Sequence, residues 1–68
     1  MLIKLIEEPS GKECIVNTEQ VTVMRSGQAH TTTIILANGQ YLHIASPISE
    51  IVTIIEKGGN IYDEKTEA

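Results

Sequence analysis

Polar and apolar positions alternate with a period near two through residues 2–45, then shift to a period near three and a half over residues 48–55. The first period is that of strands with one face buried, the second that of an amphipathic helix. The pattern predicts strands over 2–6, 13–16, 21–25, 30–36 and 41–45, followed by a helix over about 47–57. Turn chemistry separates them. Glu8-Pro9-Ser10-Gly11-Lys12 supplies a fixed φ and a residue free to take positive φ. Asn17-Thr18-Glu19-Gln20 predicts a tight turn, since these side chains bond nearby backbone. Ser26-Gly27-Gln28-Ala29 is a looser connection.

Asn38-Gly39 between two β-branched runs is the strongest short-range hairpin signal in the chain. Taken as a two-residue type I′ loop, it sets Leu36 opposite Tyr41, Ile35 opposite Leu42, Ile34 opposite His43 and Thr33 opposite Ile44. Facing residues share a side of the sheet. One face then carries Thr33, Ile35, Leu42 and Ile44; the other carries Thr32, Ile34, Leu36, Tyr41, His43 and Ala45. Both are substantially apolar, so the hairpin is either covered on both sides or meets another molecule.

At the helix, Ser46 is the expected N-cap and Pro47 the first helical residue, where its missing N–H costs nothing. Ile48, Ile51, Val52 and Ile55 are expected on the buried face, with Ile54 at its edge. Gly58-Gly59 ends the helix. Its many β-branched residues make a weak isolated helix, so docking on the sheet must stabilise it. Residues 60–62 are a possible sixth strand, and 63–68 are polar and acidic, an expected mobile tail.

The fold class expected is therefore mainly β (α+β). It has a bent five-stranded antiparallel sheet, SH3-like or barrel-like, with one C-terminal helix, in a single domain over 1–62. At 68 residues the chain holds one small core, and with no Phe or Trp that core is aliphatic. The single cysteine excludes an internal disulfide, and the two histidines stand apart without metal spacing. Self-association is the remaining common source of stability for so small a domain, so a homo-oligomer is expected. Nine acidic residues against five scattered basic ones give a net charge of −4, which disfavours binding to nucleic acid. No apolar run approaches a membrane span and no signal-peptide pattern opens the sequence, so a cytoplasmic protein is expected.

Candidate chemistry is sparse. His43 could act as a base or ligand contact, but a half-buried strand histidine is the simpler reading; His30 falls at a loop edge. Cys14 beside Glu13 lacks the electropositive setting that activates a thiol. Glu7 and Glu8 are adjacent in an extended segment and point apart. Arg25 with the following loop, together with Thr31 and Thr33, is a weak candidate for small-ligand binding. No acid, base and nucleophile converge, so no enzymatic activity, cofactor or metal is expected. The best-supported surface is the second hairpin face, Ile34, Leu36, Tyr41, His43 and Ala45, as a contact with a second copy or another protein.

Ile3-Lys4-Leu5, Gly11-Lys12-Glu13, Val16-Asn17, Thr33-Ile34, Leu36 before Asn38-Gly39, and Ile48-Ser49-Glu50-Ile51 together resemble the short flagellar FlbD-type proteins and related small bacterial and phage proteins. The likeness covers residues 2 to 57. It implies a compact β domain without catalysis and supplies no active-site residues. A fainter similarity is to the strand-rich core of LytTR-type DNA-binding domains, a role the acidic balance disfavours. The expected function is that of a small non-catalytic protein-binding or regulatory module acting as a homo-oligomer. The alternatives are a phage-encoded binder of a nucleotide signal, an inhibitor of a host protein, or a nucleic-acid binder.

Overall fold

A computed structural model describes residues 1–61. Tyr62 and the acidic stretch 63–68 lie outside the described residues. Among the described residues, five antiparallel strands and one helix follow in chain order: β1 (Leu2–Ile6), β2 (Glu13–Asn17), β3 (Val21–Ser26), β4 (Thr32–Leu36), β5 (Tyr41–Ile44) and α1 (Ile48–Glu56). A single 3-10 turn, Thr18–Gln20, joins β2 to β3. The Asn17 side chain opens it by accepting from the Glu19 N–H at 3.0 Å. Residues 60 and 61 form no strand.

The strands form two sheets, β1–β2 and β3–β4–β5. They meet where the end of β1 bends onto β5. There Glu7 bridges Ile44, the Ala45 N–H donates to the Ile6 carbonyl at 2.8 Å, and the Glu8 N–H donates to the His43 carbonyl at 2.9 Å. The chain thus traces one strongly bent path, β2-β1-β5-β4-β3. Ile3, Leu5, Val16, Ile34, Ile44 and Ile51 fill its concave side, with Met24, Leu36, Leu42, Ile54 and Ile55 packed around them. Fully burying an aliphatic side chain stabilises the fold by about 1.5–3 kcal/mol, so this small set carries most of the driving force.

The hairpin register differs by one residue from the two-residue loop expected at Asn38-Gly39. Thr32 faces Ile44, Thr33 faces His43, Ile34 faces Leu42, and Ile35 faces Tyr41. The loop has three residues: Leu36 N–H donates to the Gln40 carbonyl and Gly39 N–H to the Leu36 carbonyl, both at 2.9 Å. Only Gly39 of the pair has positive φ, +89°. This is the turn followed by one left-handed residue that three-residue hairpins favour. The register follows the core: it turns Thr32, Ile34, Leu42 and Ile44 inward together, and a one-residue slip would invert β5. Across the sheet, Val21 faces Leu36 and Val23 faces Ile35, which leaves Thr22 as a bulge. The bulge breaks the simple alternation of β3, turning Val21 and Met24 inward and Val23 outward.

The β3–β4 connection carries the double positive φ that Asn38-Gly39 lacks. Ala29 and His30 have φ of 56° and 61°, and the Thr31 N–H donates to the Gln28 carbonyl at 3.2 Å. Ala takes this conformation rarely, whereas His is among the residue types enriched in it. A Cβ at Gly27 would lie 2.5 Å from the Thr31 hydroxyl, so a larger residue there would have to turn that hydroxyl off the Gln28 carbonyl.

Helix α1 starts one residue later than expected. Pro47 occupies the cap position without a side-chain hydrogen bond, and its carbonyl accepts from Glu50 at 3.0 Å and Ile51 at 3.3 Å. Ser46 does not cap with its side chain; its carbonyl accepts the buried Thr32 hydroxyl at 2.7 Å, tying the helix entrance to the central strand. The buried arc is centred on Ile51, with Ile48, Ile54 and Ile55 within about 60° of it at 3.6 residues per turn. Val52 lies about 100° away and faces solvent, which corrects its expected inward placement. At the other end, Gly58 N–H donates to Ile55 and Gly59 N–H to Ile54, a Schellman closure with Gly58 at φ +90°.

After that closure the Asn60 amide settles on β1. Its Oδ1 accepts from the Lys4 N–H and its Nδ2 donates to the Lys4 carbonyl, both at 2.7 Å. One side chain thereby plays the part of a neighbouring strand. Asn60→Ala is expected to cost about 1 kcal/mol, lowering the midpoint of a circular-dichroism melt by about 4–8 °C. An unchanged midpoint would show that these bonds hold nothing. The double change Ala29→Asn, His30→Gly supplies the residues a doubly left-handed turn favours. It is expected to stabilise by about 1 kcal/mol in urea denaturation.

Candidate functional site

The corrected register assembles an outer face on the three-stranded sheet. Val23, Ile35 and Tyr41 form one row across β3, β4 and β5; Arg25, Thr33 and His43 form the next. Ile35 and Thr33 are half-buried, and the four flanking residues are exposed, Tyr41 at 61%. Thr33 Oγ1 and His43 Nδ1 lie 3.3 Å apart, a contact that occupies one ring nitrogen and leaves Nε2 to an outside partner. The ion pairs among the described residues join the N-terminus to Glu19 and Lys4 to Glu13, so Arg25 has no carboxylate partner there. The face offers one guanidinium fork, one imidazole and an aromatic ring beside two aliphatic side chains.

The set expected as one contact surface does not share a face. Ile34 is fully buried and Leu36 packs on the core, whereas Tyr41, His43 and Ala45 are exposed. The cause is the extra loop residue, which moves β5 by one position relative to β4. Of the expected ligand residues, Arg25 and Thr33 come together in one row. Thr31 does not join them, because its hydroxyl donates to the Gln28 carbonyl at 2.7 Å and closes the loop. His30 is exposed in the same loop. Sequence reasoning missed Val23 and Ile35. Grouping Thr32, Ile34 and Leu36 with Leu42 and Ile44 as one inward set would have found both.

An apolar groove of about 440 Å³ opens between the edges of β2 and β3, lined among others by Ile3, Val16, Val21, Met24, Ile34 and Ile55. Its two hydroxyls are engaged: Thr18 Oγ1 donates to the Met1 carbonyl at 3.2 Å and Thr22 Oγ1 to the Ile35 carbonyl at 2.9 Å. Arg25, Thr31 and Thr33 do not line it. Among the described residues, no three His, Cys, Asp or Glu side chains are grouped to hold a metal ion. The Thr33–His43 pair puts a hydroxyl against an imidazole, but on an open sheet and with no third side chain bonded to the ring. No described helix is long and apolar enough to cross a membrane.

Cys14 is a free, half-buried thiol beside the core. Burial pushes its pKa above the ordinary thiol value, and the Glu7 charge adds to this, while a backbone hydrogen bond at Leu5 opposes it. Glu7, rather than the adjacent Glu13, is the carboxylate that matters. No protein-family model, curated protein or solved structure matches the chain.

Because folding disfavours the thiolate, the stability gained by keeping Cys14 neutral is complete below the ordinary thiol pKa, about 8.5. It is lost as pH rises through the raised folded value. Urea denaturation of wild type and Cys14→Ala is therefore expected to show a smaller alkaline loss in the variant. Alkylation of Cys14 near pH 8 is expected to be slower in the folded chain than in urea.

Proposed function

We propose that the chain is a small, non-catalytic protein-binding module whose contact surface is the outer face of β3–β4–β5. One observation carries this reading: the solvent-open row Val23–Ile35–Tyr41 lies directly beside Arg25–Thr33–His43, with no carboxylate paired to Arg25 among the described residues. In a chain of net charge −4, a guanidinium with no carboxylate paired to it among the described residues fits a partner presenting an apolar side chain next to a carboxylate. Tyr and Arg are the residue types most enriched where interfaces concentrate their binding energy. Small molecules favour concave sites, and this face is an open sheet. A single arginine on the face is too little for phosphate-backbone binding.

The likeness of residues 2 to 57 to the FlbD-type proteins agrees with a binding role, since that family implies a β domain without catalysis. A barrel-like, SH3-like closure of the two sheets suits the same use. The lone thiol suits a cytoplasmic setting.

Selection of extended peptides on the full chain tests the proposal. Enriched sequences are expected to pair Asp or Glu with a neighbouring aliphatic or aromatic residue. Their binding should shift the amide resonances of Val23, Arg25, Ile35 and Tyr41. Tyr41→Glu is expected to keep β-type circular dichroism and weaken such a peptide at least about tenfold. Leu36→Glu, by contrast, places a charge against the core and is expected to unfold the chain. Peptides without acidic bias, or shifts that map to another face, would overturn the assignment.

A further inference from the structure

We propose that the outer face of the β1–β2 hairpin is the surface through which two copies of this chain associate. The register places Leu2, Lys4 and Ile6 of β1 on the same side as Glu13 and Ile15 of β2. Leu2 is 52% exposed, Ile6 38% and Ile15 56%, three of the most exposed large aliphatic side chains of the described residues. The opposite side of the same two strands holds Ile3, Leu5 and Val16 in the core, so the hairpin is apolar front and back. Three exposed aliphatic side chains gathered on one face of two short strands are what an association surface presents.

Charge identifies a second copy as the occupant. Among the described residues the patch holds one cation and one anion, Lys4 and Glu13, with Nζ and Oε2 3.7 Å apart. A two-fold contact must be complementary to itself. A neutral patch with one group of each sign meets that condition, because Lys4 of each copy can face Glu13 of the other. The pair is exposed, so exchanging an internal partner for an external one costs little. Two chains of net charge −4 repel overall, and a patch in which the described charges cancel does not add to that repulsion. Strand pairing along β1 is not the route, because its outer edge is already engaged by Asn60 and β5. Five-residue strands make a face about 17 Å long and 10 Å wide. That is below the roughly 800 Å² per partner of stable complexes, so the dimer is weak and concentration-dependent.

Sedimentation equilibrium of the full chain from about 10 µM to about 1 mM covers weak association. The mass is expected to rise from 7.4 kDa toward twice that value. Lys4→Glu and Glu13→Lys each place like charges across the two-fold and are expected to remain at the monomer mass. An equimolar mixture of the two is expected to recover the dimer. That recovery separates a contact between copies from one within a chain, since both variants lack the internal pair. Should either variant fail to fold, Ile15→Gln is expected to give a folded monomer. Tyr41→Glu is expected to dimerise as the wild type does, which keeps this outcome distinct from the partner-binding reading above. A wild-type mass fixed at 7.4 kDa overturns the proposal, as does a mixture that gains nothing or a dimer unaffected by the charge changes.

Discussion

The three-residue loop 37–39, with Gly39 at positive φ, returns β5 one residue out of step with a two-residue turn, and the division of the three-stranded sheet into a buried and an exposed face depends on that offset. It sets Ile44 and Leu42 on the side of Thr32 and Ile34, where β1, β2 and α1 cover them. It also sends Tyr41 and His43 outward, beside Ile35 and Thr33. Side chains on a strand alternate strictly, so the core and the exposed face are fixed by the same event. The core that results is wholly aliphatic apart from Thr32.

The central strand is also the point at which the helix is fastened. Thr32 is completely buried, and its hydroxyl is matched to the Ser46 carbonyl just before α1. A buried hydroxyl without a partner is costly, so this bond fixes where the helix begins as well as satisfying the group. From there Ile51 reaches the core, and the Schellman closure at Gly58 and Gly59 returns the chain toward β1. Each of the three threonines 31–33 has a separate role: closing a loop, anchoring the helix, and contacting His43.

Element types and order were readable because periodicity and turn residues signal them directly; five strands and a final helix follow from the spacing of Ile, Val and Leu. Registers were harder. Asn38-Gly39 suits a two-residue loop and a three-residue loop alike, since both place Gly in the left-handed position, and only packing chooses between them. The Thr22 bulge left no mark beyond an ordinary β-branched run. The left-handed Ala29 contradicts local preference, and the pair Ala29–His30 could not be inferred from residue type. The exposed face was half visible: Tyr41, His43, Arg25 and Thr33 were singled out, but Val23 and Ile35 depended on the two registers.

Asn60 lies beyond the last regular element of the described residues, yet it occupies the backbone groups of Lys4 on the side of β1 that β2 does not cover. Unfilled, those groups would form a short template for any extended chain that came alongside. A carboxamide on a loop blocks that growth without adding a strand, and it does so only while the helix closure holds the loop in place. Clipping the chain just before this residue would therefore turn a self-limiting sheet into one able to recruit neighbours.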